Sequence, residues 1–230
     1  MEDYVVKWTI SGVIFWTTAL ILVRNLLPKR YSFDFCTRIV ATVHATSAVC
    51  LASLSVTDWS CPVCPLASRS SPAQMKALAV TLSYMIYDLM ATILGDNFTV
   101  DNAVHHLVSI VGIGAGLAYQ MCGTEMVASL WITEMSTPML HAREFVKEIG
   151  IRDTPLNLLV DIMFAVTFSL ARMGVGPYLT FVTLRADNPF LIKAMAFGLQ
   201  AVSTFWFYKI LRMLKYKLRR RGVTPHVKPA

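Results

Sequence analysis

The hexapeptide Asp101-Asn102-Ala103-Val104-His105-His106 runs directly into the apolar stretch Leu107–Met121. A helix needs about 20 predominantly apolar residues to cross the hydrocarbon core of a bilayer. The stretch together with its histidine-bearing entrance therefore reads as one crossing. Ionisable side chains at that depth are costly and usually face a bundle interior, a partner or a pathway. Two adjacent imidazoles at a membrane entrance thus predict a helical bundle with a polar interior.

The rest of the chain repeats the apolar pattern. Seven spans are expected, at Thr9–Leu27, Ile39–Val56, Ala77–Leu94, Val104–Met121, Met126–His141, Leu156–Val182 and Phe190–Met213. The fifth is short and carries Glu134 and Pro138, and the sixth is long and carries Asp161 and Arg172, so a broken or tilted helix is expected at these two. The 230 residues are 55% hydrophobic and only 15% charged, with mean hydropathy +0.54, a balance that excludes an ordinary soluble domain. The fold class is an all-α membrane protein. A net charge of +7 raises the question of nucleic acid, but the basic residues sit beside apolar segments and do not interleave with aromatics on a polar face. No nucleic-acid partner is expected.

Lys and Arg beside the spans set the orientation. They cluster after the first span (Arg24, Lys29, Arg30), after the fifth (Arg143, Lys147, Arg152) and in the tail (Lys209 to Arg221). These regions are expected in the cytosol, which puts the N-terminus in the lumen. Glu2 and Asp3 precede the first span, so it reads as a retained crossing and not as a cleavable signal. The sequon Asn97-Phe98-Thr99 then falls on the cytosolic side and is expected to be unglycosylated. Three segments follow: 1–31 with the first span, 32–217 as the membrane domain, and 218–230 as a basic, disordered cytosolic tail. Cys61-Pro62-Val63-Cys64 is read as two free thiols in a proline-rich loop, with a local bridge as the alternative.

Depth at about 1.5 Å per helical residue places His44, Asp88, His105, His106, Glu134 and Asp161 in the cytosolic half of five helices. A shared polar cavity opening toward the cytosol is the expectation. On the fourth span His105, Ser109, Gly112 and Gly116 follow i, i+4, i+7, i+11 and form one narrow stripe, whose glycines suit close helix packing. His106 lies about 100° round the helix, so the two imidazoles take different roles. Tyr84 and Asp88 share a face of the third span, and Asp88 needs a hydrogen-bond donor such as a tyrosine or histidine. Pro138 cannot donate to the carbonyl of Glu134, which opens the ladder beside that acid. Asp161 and Arg172 share a face but stand about three turns apart, too far to pair. His44, Tyr84, Asp88, Glu134, Asp161 and Arg172 are thus the expected cavity-lining or orienting residues. His105 and His106 are the catalytic residues if the protein is an enzyme.

Five histidines are too few for a membrane di-iron site, and no GxSxG, HExxH or P-loop occurs. No metal or cofactor is expected.

Arg38 with His44, Tyr84 with Asp88, His105-His106, Glu134-Met135-Ser136-Thr137-Pro138 and Arg172 occur in this order between Ser32 and Lys217. That series resembles the TLC domain (TRAM, Lag and CLN-type) of ceramide synthases and of smaller TLC domain-containing proteins. The resemblance implies six spans around a central cavity, residence in the endoplasmic reticulum or another endomembrane, and a role in lipid metabolism or homeostasis. By the resemblance, His105 and His106 take the place of the histidine pair that serves acyl transfer from acyl-CoA to a long-chain amine base. Two stretches depart from the synthases. Gly112-Ile113-Gly114-Ala115-Gly116-Leu117-Ala118-Tyr119 follows the pair where synthases carry asparagine and arginine, and Thr133-Glu134 stands where they carry His-Asp. The chain is more similar to the small TLC proteins. The expected function is to bind a lipid or fatty-acyl chain in the bundle and influence membrane lipid composition. One alternative is a histidine-dependent acyltransferase with acyl-CoA as co-substrate, and a second is a trafficking or cargo receptor.

Overall fold

The computed structural model describes residues 3–95, 98–152 and 154–222. Asn97 of the sequon and the end of the basic tail, 223–230, lie outside the described residues.

Among the described residues the elements are helical: α1 (Asp3–Leu26), α2 (Phe33–Ser55), α3 (Pro72–Leu94), α4 (Val100–Tyr119), α5 (Gly123–Glu134), α6 (Thr137–Glu148), α7 (Pro155–Phe168), a π-helical segment (Ser169–Val175), α8 (Gly176–Arg185) and α9 (Phe190–Gly222). Among the described residues, six helices are long and apolar enough to cross a membrane: α1, α2, α3, α4, the continuous run Pro155–Arg185, and α9. The remaining apolar stretch, around Met126–His141, folds as the two short helices α5 and α6. Their junction falls where Pro138 removes a donor, and α5 ends on Glu134 itself. The last helix continues to Gly222, past the point where a disordered tail is expected from the sequence.

Helix starts follow local chemistry. Ser32 caps α2 by accepting from Phe35 N, and Ser71 with Gln74 forms a capping box at the start of α3, followed by Pro72. α3 is central, with neighbours α1, α2, α4 and α5, and α9 lies across α4. Close approach is bought by small residues: a Cβ at Gly12 would collide with Ser83 of α3, and one at Gly116 with Met126 of α5. The outer faces are apolar. Ile14 and Phe15 of α1, Leu170 of the π segment and Phe197 of α9 are each at least 60% exposed, the arrangement of a bundle whose solvent is lipid.

The two ends of the bundle differ. At one end lie the start of α4, the end of α3 and the basic stretches, tied together by Ser32 N and Oγ donating to Glu148 of α6 at 2.7 and 2.9 Å. At the other, Cys61 and Cys64 form a disulfide, which corrects the expectation of two free thiols. A tight turn, with Cys64 N donating to Cys61 O at 3.0 Å, brings the two together.

Candidate functional site

Each residue of the hexapeptide entrance has a separate task. Asp101 accepts from Trp206 Nε1 at 2.6 Å and from Lys209 Nζ at 3.0 Å, fastening the first turn of α4 to α9. Trp206 is thereby set against His105, with ring centroids 4.9 Å apart. The carbonyl of Asn102 accepts from His106 Nδ1 at 2.8 Å, and His106 Nε2 lies 2.7 Å from Asp88 Oδ2. A carbonyl only accepts, so Nδ1 carries a proton. The Nε2–Oδ2 contact therefore contains a single proton shared between ring and carboxylate. His106 is thus committed to α3. His105, about 100° away, is buried with Nδ1 lacking a partner, and it borders a cavity.

This cavity, continuous with the exterior, lies between α3, α4, α5, α8, α9 and the π segment. The α4 stripe enters it as His105, Ser109 and Gly112. Gly116, next on the stripe, is instead covered by Met126. Along α9 the lining runs from Ile192 to Ser203, roughly 16 Å at the rise of an α-helix. The middle is apolar, with Ile113, Leu130, Leu179 and Leu199 among its walls, and the histidine end carries Glu134, Arg172 and Gln200.

Arg172 reaches this end through the π segment. Pro177 has no N–H, so the Arg172 carbonyl, its acceptor in an i to i+5 ladder, lacks a backbone donor; Gln200 Nε2 supplies one at 3.3 Å. Nη2 of Arg172 donates to the carbonyl of Thr133, at the broken end of α5. Its Nε and Nη1 are buried without a hydrogen-bond partner among the described residues. Phe168 and Trp206 lie 5.2 and 5.7 Å from Cζ and shield the cation without accepting its N–H bonds.

The opposite end of the cavity is bordered by Glu125, which sequence reasoning missed. Its Oε1 accepts from Ala67 N at 2.7 Å and Asn188 Nδ2 at 3.1 Å, which locks the disulfide-bearing loop and the α8–α9 turn onto α5. Beside it, burial pushes the Cys122 thiol up to about 11, so the sulfur keeps its proton and donates to Asn188 Oδ1 at 2.8 Å.

The single polar layer expected from depth is divided in the structure. His105, Glu134 and Arg172 border the main cavity. Asp88 faces a second hollow, lined also by Ser32, Asp34, Arg38 and Asn102. His44 and Tyr84 do not line the main cavity: their rings stack face to face at 3.7 Å, with Trp16 edge-on to both. Asp161 is also elsewhere, fully buried between Arg143 and Lys217. Depth carries no information about direction round the helix, and direction separates these groups. Among the described residues no group of three or more His, Cys, Asp and Glu is placed to hold a metal ion.

The fold and this arrangement belong to a known class. The family model of the TLC domain matches residues 34–212, and the chain is a member of the TLC-domain family. It is also similar to the TLC domain-containing protein L438 of Acanthamoeba polyphaga mimivirus, with 26% identity over 120 residues, half of this chain and 60% of that protein.

Proposed function

We propose that this TLC-domain protein holds the acyl chain of a membrane lipid or fatty acid in the cavity between α3, α4, α5, α8 and α9, and through it influences membrane lipid composition. The carrying observation is the cavity itself: long and apolar in its middle, polar where His105, Glu134 and Arg172 meet. Largely apolar hollows with a few convergent polar groups are the usual form of a small-molecule site. The proposal places the protein in the endoplasmic reticulum, with the N-terminus lumenal and the basic end of the bundle cytosolic. The Lys and Arg bias and a disulfide at the opposite end support this orientation.

The test is lipid analysis of the purified protein. Enrichment of an acyl lipid over the solubilised membrane, reduced in a Ser129→Phe/Thr180→Phe variant that fills the cavity and unfolds at the same temperature, is the expected result. A lipid profile identical to the background in both proteins contradicts the proposal.

One observation favours a second reading, acyl transfer. His105 borders the cavity and, among the described residues, its buried Nδ1 has no hydrogen-bond partner, so the ring is not committed to a neighbouring helix and can serve as a group that takes a proton from an acceptor or carries an acyl group. Labelled acyl-CoA supplied with amine, lysolipid and glycerolipid acceptors decides this. Turnover that disappears in His105→Ala supports it, and no product with any acceptor removes it.

A further inference from the structure

We infer that the head of the occupant is a carboxylate, so that the cavity takes a single-chain fatty acid with its acid group against Arg172; this rests on the lipid-holding reading above. Arg172 is 6% exposed, and among the described residues only Nη2 of its three guanidinium nitrogens has an acceptor, the Thr133 carbonyl. Nε and Nη1 carry three N–H bonds between them and meet none. Unmet donors on a buried cation are expensive, because the solvation lost on burial is not replaced. The rings of Phe168 and Trp206 offset part of the charge, but a ring face does not satisfy an N–H that points elsewhere.

The acids nearby do not remove the deficit. Glu134 borders the same end of the cavity and offsets part of the Arg172 charge through space, yet it accepts from neither Nε nor Nη1, and Asp101 is engaged by Trp206 and Lys209. Asp161, about three turns away along the chain, is engaged by Arg143 and Lys217. On this inference the acceptor for these donors is supplied by what enters the cavity. An anionic oxygen makes the stronger, charge-assisted bond. The unmet nitrogens are enclosed, which suits a compact head such as a carboxylate, and the apolar wall from Ile113 to Leu199 continues from that point for the chain.

The protein in lipid nanodiscs is titrated with radiolabelled oleate, oleyl alcohol and lysophosphatidate, which share one chain type and differ in head. Oleate is expected to bind about ten-fold or more tightly than the alcohol. In Arg172→Gln the two ligands should bind equally, with alcohol binding retained, and Arg172→Lys should restore part of the preference. Equal binding of oleate and alcohol to the unaltered protein overturns the inference while leaving the lipid-holding reading intact. Tight binding of lysophosphatidate with weak oleate also overturns it, in favour of a phosphate head. Saturable binding of none of the three sinks the underlying reading as well. The comparison of heads in the unaltered protein stands even if the Arg172 variants fail to fold.

Discussion

His106 Nε2 and Asp88 Oδ2 lie 2.7 Å apart across the α3–α4 contact, while Nδ1 of the same ring is held by the carbonyl of Asn102. This contact fixes which of the two adjacent histidines is tied to a neighbouring helix and which faces the cavity. An amide at position 88 can donate to Nε2 and keep the geometry, whereas an aliphatic side chain leaves that nitrogen unmet. Asp88→Asn is therefore expected to lower stability by less than about 0.5 kcal/mol and Asp88→Leu by roughly 1–2 kcal/mol, measured by unfolding in mild detergent. Equal losses in the two variants would mean that the hydrogen bond contributes nothing.

Asp101 joins two partners of unequal value. Lys209 is about half exposed, and exposed ion pairs contribute little. The bond from Trp206 Nε1 is more sheltered and sets the ring against His105. Lys209→Ala should cost under about 0.5 kcal/mol, and Asp101→Ala about 1 kcal/mol together with a change in Trp206 fluorescence. A larger loss in Lys209→Ala than in Asp101→Ala contradicts this division.

Asp161 separates a structural role from a site role. Its carboxylate is fully buried between Arg143 and Lys217, both partly exposed. Removing the acid leaves two cations facing each other, so Asp161→Ala is expected to lose about 3 kcal/mol, the low end of the range for a broken buried pair because its partners reach solvent. Lipid binding per folded molecule should not change. A variant that keeps its stability and loses binding would return Asp161 to the cavity.

The disulfide gives a topological prediction. In sealed microsomes of a Cys50→Ser variant, which lacks the exposed free thiol, a membrane-impermeant maleimide should add two labels, at Cys61 and Cys64, only after reduction and only when it reaches the lumenal face. Cys36 and Cys122 are buried and should stay unlabelled. Labelling of Cys61 and Cys64 from the cytosolic face reverses the proposed orientation.

Much of this was legible in the chain. The 3.6-residue period placed His105, Ser109 and Gly112 on one line and turned His106 away from it, and the cavity and the Asp88 contact follow that division. Pro138 marked the break between α5 and α6, since a missing donor acts locally. What the sequence hid was tertiary. Residues at one depth, such as His44 and Glu134, face different neighbours, and a count along a helix cannot say which. Trp206 and Glu125 acquire their tasks from partners 105 and 58 positions away. The π segment was equally hidden, although Pro177 and the flanking Gly174 and Gly176 are its local marks.

The central claim is that an acyl chain lies inside the bundle, and photocrosslinking with a diazirine-bearing fatty acid, read by peptide mass spectrometry, tests it most directly. The account predicts adducts on Met126, Leu130, Leu179 and Met195, which line the cavity, and their loss in Ser129→Phe/Thr180→Phe. Adducts confined to the lipid-facing Ile14, Phe15, Leu170 and Phe197, unchanged in that variant, would contradict it.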